Sequence, residues 1–543
     1  MSPTPPDPRA NELFARAVVA RIVGAGTTQV FVAPGSRSTP LVAAFRASGV
    51  PMTLVTDERA AGFAAIGVAR TGGRACVVTT SGTAVANLLP AMAEADVDEL
   101  AWIACTADRP SHLVGIGANQ TLDQPPLLAG AARAVVDLPA PPDFDGNFGA
   151  LERALAVLDG ASPGPVHLNV RFQKPLEPTN AGAEPLTPIG ERAQAPWSRT
   201  PPDPFADAEN GLVVVGALPF EDRPDVESYL SRVEWPVVVD VTSGLARGGR
   251  FRAAMFRHAV VREALTPDRC LWIGGRATEP ALARWLLARR VPTVQWKSTD
   301  RVRDPESLFQ ASHRVALRHA LPDPSGATSS GLVDKLMAIT AAEPELERKL
   351  SEPFVARTVA ESVRTDEPLF VGNSMVVRDV DRFARRSSGT IVTNRGASGI
   401  DGNLATALGA WKETGLPTTA LVGDLAFLHD SGTLATIVRE RAALRIVVVN
   451  NHGGGIFHFL PIAQHTELFE PWFGAPHGAD AVAIARGHGL VAERIDSPDE
   501  LERRLEDPPG GPELLEVITD RESNRALHVA MDRAWVEALE SAR

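Results

Sequence analysis

The sequence predicts an α/β protein built from three units, each a mainly parallel sheet covered by helices. Three observations predict it. Short apolar, β-rich runs alternate along the chain with segments of helical periodicity, the pattern of strands joined by crossover helices. Two low-order stretches, 175–210 and 319–331, interrupt that alternation with Pro-, Ala-, Thr- or Gly-rich sequence, the first reading as a linker. The length, 543 residues, suits about three domains at roughly 100–200 residues each. The expected domains are 1–180, 205–335 and 350–543.

In the first unit the strand candidates are 29–33, 52–56, 74–80 and 100–106, with a closing run at 165–170. Helical segments lie between them, at 58–71 and 83–93. The middle unit offers strands at 212–215, 236–241, 270–273 and 293–296. The last offers 369–371, 390–393, 418–422, 445–449 and 514–518. Ligands of such sheets gather outside the carboxyl ends of the strands. The informative residues are therefore the polar ones that follow each apolar run.

Composition narrows the function. An apolar fraction of 44% and a charged fraction of 22% are those of an ordinary globular protein. The formal charge of −12 repels nucleic acid and anionic membranes. The nine tryptophans show no interleaving with basic residues of the kind a single-strand groove uses. Nucleic acid is therefore not an expected partner. Cys76, Cys105 and Cys270 lack the spacing of a disulfide framework or zinc site. The opening Met-Ser-Pro-Thr-Pro-Pro-Asp-Pro has no apolar core for a signal peptide. No apolar stretch is long enough to span a membrane. A cytoplasmic location is the expectation.

Two strand ends in the last unit carry metal-binding chemistry. One apolar run ends in Gly423-Asp424-Leu425, and the next ends in Asn450-Asn451, followed by His452-Gly453-Gly454-Gly455. Their separation leaves room for a helical crossover, so the ends can lie side by side. Either dipeptide alone also reads as a turn; it is the pairing that points to a metal. Magnesium takes oxygen ligands and usually keeps phosphate oxygens among them. Asp424 offers a carboxylate, Asn451 an amide oxygen and Gly453 a backbone carbonyl, while the glycines expose N–H groups to phosphate.

In the first unit, Glu58 opens a helix directly after a strand, on a face made small by Ala61, Gly62 and Ala65. A glutamate there also suits the positive end of a helix. Thiamine diphosphate would join the two sites. Its diphosphate needs a divalent metal, and its pyrimidine needs one carboxyl group, shielded from water, with which to share a proton.

With these residues assembled, the chain resembles the thiamine-diphosphate-dependent 2-oxo acid decarboxylase and synthase superfamily. Within it, the closest likeness is to the 2-succinyl-5-enolpyruvyl-6-hydroxy-3-cyclohexene-1-carboxylate synthase family of menaquinone biosynthesis. The segments that carry the likeness are Ala33-Pro34-Gly35-Ser36-Arg37-Ser38, Asp57-Glu58-Arg59, Thr80-Ser81-Gly82-Thr83, Ala107-Asp108-Arg109-Pro110 and Gly117-Ala118-Asn119-Gln120. In the last third they are Gly372-Asn373-Ser374, Asn394-Arg395-Gly396-Ala397-Ser398-Gly399-Ile400-Asp401-Gly402, Gly423-Asp424-Leu425 and Asn450-Asn451-His452-Gly453-Gly454.

The resemblance implies a pyrimidine-binding, a central and a diphosphate-binding domain. It implies a transferase with thiamine diphosphate and Mg2+ (or Mn2+) that decarboxylates 2-oxoglutarate and adds the succinyl fragment to isochorismate. It implies a homo-oligomer, a dimer or dimer of dimers, in which Glu58 of one subunit meets the diphosphate site of another. Glu58 would be catalytic; Gly423, Asp424, Leu425, Asn451 and Gly453 would hold cofactor and metal; Ile400 would prop the cofactor, though it also suits core packing. Ser36, Arg37, Arg109, Asn119, Gln120, Asn373, Ser374, Arg378 and Arg395 would line the substrate pocket, the arginines gripping carboxylates. Arg109 also reads as an ion pair with Asp108, and Arg378 as a helix-surface charge. Pro280 and Ala281 stand where the family pattern can carry a basic residue, leaving Arg276, Arg284 or another loop as the substitute. His452 and His458 flank the glycine-rich turn and could touch substrate, though they better suit structural roles.

Overall fold

In a computed structural model the described residues are 8–179, 184–192, 208–245, 250–315, 317, 321, 330–386 and 389–541. They contain three six-stranded sheets, and every adjacent pair of strands is parallel. The fold is therefore the α/β architecture that the alternation predicts.

The first sheet comprises β1 (Gln29–Val32), β2 (Met52–Leu54), β3 (Ala75–Thr79), β4 (Ile103–Asp108), β5 (Ala134–Leu138) and β6 (Val166–Arg171). Its order is β2-β1-β3-β4-β6-β5. The second comprises β7 (Gly211–Val215), β8 (Val237–Val239), β9 (Phe251–Arg252), β10 (Arg269–Ile273), β11 (Thr293–Lys297) and β12 (Ala311–Arg314), in the order β12-β11-β10-β7-β8-β9. The third comprises β13 (Pro368–Val371), β14 (Thr390–Thr393), β15 (Thr418–Gly423), β16 (Leu444–Asn450), β17 (Val491–Arg494) and β18 (Glu513–Ile518), in the order β14-β13-β15-β16-β18-β17.

The first and third sheets share one topology. In each, the second strand lies to one side of the first and the third to the other, which creates a switch point at the carboxyl ends of β1 and β3, and of β13 and β15. Crevices at switch points are where open α/β sheets bind ligands.

The chain divides into two compact units. One is Met1–Pro196 with Asn394–Gly415 and His429–Ala442; the other is Trp197–Thr393 with Leu416–Leu428 and Ala443–Arg543. The first holds the first sheet. Its helix Glu58–Arg70 packs on the helix Asn403–Thr414 through glycines: a Cβ on Gly67 would collide with the Thr406 carbonyl, and one on Gly409 with the Ala64 carbonyl. The second unit holds the other two sheets, and in β16 every residue is buried, as expected of a strand covered on both faces.

Local departures from the predicted elements have physical causes. The segment 83–93 is two helices, Thr83–Ala86 and Leu89–Asp98. Pro90 lacks the N–H that would continue the first helix, and it sits in the first turn of the second. Part of the expected linker is anchored: the Leu186 N–H bonds the Ala47 carbonyl and the Ile189 N–H bonds that of Ala20, and the Leu186 side chain joins the first core. Residues 319–331 lie almost wholly outside the described residues. Cys76, Cys105 and Cys270 are free and buried. Among the described residues no helix is long and apolar enough to cross a membrane.

Candidate active site

In the second unit, the ends of β15 and β16 lie side by side, since Gly423 pairs with Val449. Asp424, 4% exposed, follows β15. Its Oδ1 accepts the Leu425 N–H at 2.7 Å. Its Oδ2 accepts the Gly453 N–H at 2.9 Å and lies 3.1 Å from His477 Nε2. Asn451 follows β16 and donates its Nδ2 to Glu352 Oε1 at 2.9 Å. That bond fixes which way the amide points. Asn451 Oδ1 is buried without a hydrogen-bond partner among the described residues. Such an orphaned acceptor is rare, and an oxygen-seeking cation satisfies it.

The turn that follows is built for close approach. His452 has φ 59° and Gly453 has φ 145°, and a Cβ on Gly453 would collide with the Gly474 carbonyl. The Gly454 N–H bonds that same carbonyl at 2.7 Å. Asn450 holds the turn from below, donating to Glu516 at 2.7 Å and accepting the His452 N–H at 3.0 Å. A Cβ on Gly423 would meet nothing within 4 Å, so the space beside Asp424 is open. The donor set, one carboxylate, one orphaned amide oxygen and a glycine turn, fits a magnesium diphosphate. Burial, and then Asp379, push the Glu352 carboxyl up to about 8.

The end of β13 places Asn373 and Ser374 at the switch point of the same sheet. Asn373 is buried. Ser374 has φ 72° and precedes the helix Met375–Phe383. Arg378 is exposed on that helix and donates to the Ser374 carbonyl at 2.6 Å. His458 stacks edge-on against Phe469 with ring centroids 4.7 Å apart, a structural contact.

In the first unit, Glu58 opens the helix Glu58–Arg70, whose N-terminus is capped by the Asp57 side chain. Glu58 is half-buried rather than shielded within the single chain, and its Oε2 accepts Asn87 Nδ2 at 3.2 Å. The ends of β1, β3 and β4 meet beside it in the sheet order. Ser36 is exposed, while Arg37 is buried and donates to the Phe172 carbonyl at 2.8 Å. Arg109 donates to Ser81 Oγ and to the Gln120 carbonyl. Gln120, with φ 54°, returns its Nε2 to the Ser81 carbonyl at 2.9 Å; Asn119 beside it is exposed. Burial and then the neighbouring Arg109 charge lower the Arg37 pKa, against the pull of Asp108. A guanidinium stays charged regardless, so the two cations lie close enough to repel, with Asp108 partly offsetting them.

The ion pair of Asp108 is with Arg171, at 2.9 Å, and its Oδ1 accepts the Arg109 N–H at 2.7 Å. The Arg109 guanidinium forms no ion pair with Asp108 among the described residues, and the contact between the two is through the backbone N–H. Behind this rim runs a buried network: Gln124 accepts the Gly82 N–H at 2.8 Å and donates to Asn169 at 2.7 Å, and Asn169 donates to Asp108 at 3.0 Å. Arg395 is half-buried on the loop before the helix Asn403–Thr414, and Ile400 on that loop is 37% exposed, so it is not core in this chain. In the second unit Pro280 starts a helix capped by Glu279, and Arg276 and Arg284 are exposed.

Glu352, His477, Gln124 and Asn169 escaped the sequence reading. None directly follows an apolar run at a switch point, Asn169 lying inside β6, and their partners lie far away in sequence. The only signal was the presence of buried polar types in otherwise apolar segments.

Residues 13–127 match the thiamine pyrophosphate enzyme N-terminal TPP binding domain, and residues 371–517 the C-terminal TPP binding domain. Relatives align along nearly the whole chain. A Rubrobacter xylanophilus protein is 39% identical over 96% of this chain and 98% of its own length. A Salinibacter ruber protein is 38% identical over 98% of each, and a Myxococcus xanthus protein 36% identical over 95% and 96%. All three bear the name 2-succinyl-5-enolpyruvyl-6-hydroxy-3-cyclohexene-1-carboxylate synthase. Similarity of this extent, with two switch-point sites of the right chemistry, shows that the chain belongs to the 2-succinyl-5-enolpyruvyl-6-hydroxy-3-cyclohexene-1-carboxylate synthase family of thiamine pyrophosphate enzymes.

Proposed function

We propose that this protein decarboxylates 2-oxoglutarate and joins the succinyl fragment to isochorismate, releasing carbon dioxide, as a step of menaquinone biosynthesis. The observation that carries the reading is the end-to-end likeness to relatives that share one name. When bound, thiamine diphosphate supplies the carbanion chemistry that both half-reactions need.

The chain's own residues do the rest. Asp424, Asn451 through its orphaned Oδ1, and the Gly453 carbonyl hold Mg2+ or Mn2+; Gly423 and Leu425 flank the diphosphate. Glu58 shares a proton with the aminopyrimidine nitrogen. Ile400, half-exposed on its loop, props the cofactor. Ser36, Arg37, Arg109, Asn119 and Gln120 receive substrate at the first switch point, and Asn373, Ser374, Arg378 and Arg395 are further substrate ligands. Arginine suits this task because its fork binds a carboxylate with two parallel hydrogen bonds. The division is a pyrimidine-binding domain at 1–180, a central domain at 205–335 and a diphosphate-binding domain at 350–543. The half-buried state of Glu58 supports a homodimer or dimer of dimers, in which a second subunit completes its shielding. The working location is the cytoplasm.

The test is to mix purified protein with thiamine diphosphate, magnesium, 2-oxoglutarate and isochorismate. The expected result is stoichiometric carbon dioxide and the succinyl-cyclohexene product. Turnover of pyruvate with no cyclohexene product would overturn the proposal.

A further inference from the structure

The loop that carries Arg395 and Ile400 is tied down by a carboxylate from a distant helix. Glu94, on the helix Leu89–Asp98 of the first unit, is 2% exposed. Its Oε1 accepts the Gly396 N–H at 2.8 Å, and its Oε2 accepts those of Ala397 at 2.6 Å and Ser398 at 3.2 Å. Three successive backbone N–H groups converging on one anion form a nest, here filled by the protein's own side chain. Arg70 Nη2 lies 3.3 Å from Glu94 Oε1 and also pairs with Asp98, which fixes the carboxylate in place. The loop comes so near that a Cβ on Gly396 would strike the Glu94 carbonyl oxygen. Ser398 turns the backbone at φ 64°.

Two more ties flank the nest. Asn394 Nδ2 donates to Thr406 Oγ1 at 2.8 Å, and Asn403 Nδ2 donates to the Ile400 carbonyl. These fix the loop's ends, whereas Glu94 fixes its centre, one residue after Arg395. A helix that needed only to pack would place an apolar residue here: its neighbours Ala91, Met92 and Ala95 are buried in the first unit's core. A buried carboxylate is costly unless its oxygens are fully engaged, and those of Glu94 are engaged by three backbone N–H groups and Arg70.

We propose that Glu94 is a positioning residue: it sets the backbone from which Arg395 reaches a substrate carboxylate, and so controls substrate capture without touching substrate. This rests on the reading of Arg395 as a substrate ligand given under Proposed function. A well-placed fork engages a carboxylate bidentately, and a shift of about 1 Å costs much of that gain.

The test is Glu94→Gln in the full-length protein. The amide keeps the shape but presents an NH2 where an oxygen met two N–H donors. The KM for 2-oxoglutarate or isochorismate is expected to rise about tenfold or more, the loss of a charge-assisted hydrogen bond at the binding step. The kcat and the affinity for thiamine diphosphate with magnesium, read by calorimetry, should each change less than about threefold, as uniform binding loss dictates. A double-mutant cycle with Arg395→Ala separates positioning from mere stability. If Glu94 acts through Arg395, adding Glu94→Gln to Arg395→Ala raises KM little further.

A Glu94→Gln protein with lowered Tm but unchanged KM, or KM effects that multiply with those of Arg395→Ala, would overturn the inference. Should Glu94→Gln not accumulate as folded protein, Glu94→Asp keeps the charge at shorter reach; a raised KM supports the proposal and a wild-type KM overturns it. A wild-type protein that converts neither substrate overturns the proposed function and this inference together. Wild-type activity with unaltered Glu94 variants overturns this inference alone.

Discussion

Two single substitutions separate the ends of the proposed cofactor site. Asp424→Ala removes the carboxylate that closes the Gly453 turn. It is expected to abolish magnesium-dependent cofactor binding in a calorimetric titration. Glu58→Gln keeps the shape of the helix start but cannot share a proton; it is expected to bind cofactor normally and show no turnover. Glu352 provides a subtler case. Its carboxyl group accepts a hydrogen bond from Asn451 Nδ2 and leaves the buried Asn451 Oδ1 without a partner among the described residues. Glu352→Ala is expected to weaken magnesium binding about 10–100-fold, the usual effect of losing a partner that orients a metal ligand, as read by magnesium titration at saturating cofactor. Asp424 and Asn451 were legible in the sequence because each directly follows an apolar run. Glu352 and Glu94 were not. Each lies on a helix, and its partner is reached only through the tertiary fold, so no local periodicity marks it.

Among the elements, legibility followed position in the sheet. The interior strands, such as β3, β15 and β16, are fully or almost fully buried and announce themselves as apolar runs. The strands missed are β5, β9, β12 and β17, each at the edge of its sheet. β5 and β17 mix exposed or half-buried residues with few buried ones, β12 has only half-buried residues, and β9 is two residues long. An edge strand has one side free, so its sequence need not be apolar. The paired helices Glu58–Arg70 and Asn403–Thr414 make their own prediction. Gly409→Ala forces a methyl into the Ala64 carbonyl, so it should destabilise by about 1–3 kcal/mol and lower Tm in scanning calorimetry. The strand β6 supplies a pH dependence. Burial lowers the His167 pKa from 6.5 to about 4, with Asp137 opposing. The unfolded chain then binds a proton that the folded one refuses. The neutral histidine's contribution is present in full above about 6.5 and is lost progressively as pH falls toward 4. His167→Gln should flatten the fall of Tm across that window relative to wild type.

At the scale of the whole molecule, the proposal that each site draws Glu58 from one subunit and Asp424 from another has a direct test. Neither Glu58→Gln nor Asp424→Ala should be active alone. Mixed, unfolded and refolded together in equal amounts, they should form heterodimers with one intact site of two. Activity then recovers to about a quarter of wild type for random pairing in a two-fold assembly. No recovery, with heterodimers present by mass, would place both groups in one chain. The α/β class was legible from the alternation, and the three sheets from the alternation together with the two low-order stretches and the length. The return of Asn394–Gly415 and His429–Ala442 to the first unit was not, because helix-on-helix packing through Gly67 and Gly409 is specified by close approach and not by hydrophobic period.

That return has a consequence for how the protein is made. The first unit cannot close its core when its own sheet leaves the ribosome, since the helix that covers Gly67 is encoded beyond Trp197–Thr393. At about 5–20 residues per second, the nascent sheet waits on the order of 10–40 s with its small-residue face bare. Chaperone demand during synthesis should therefore concentrate in that interval, and synonymous changes that slow translation there should cost soluble yield.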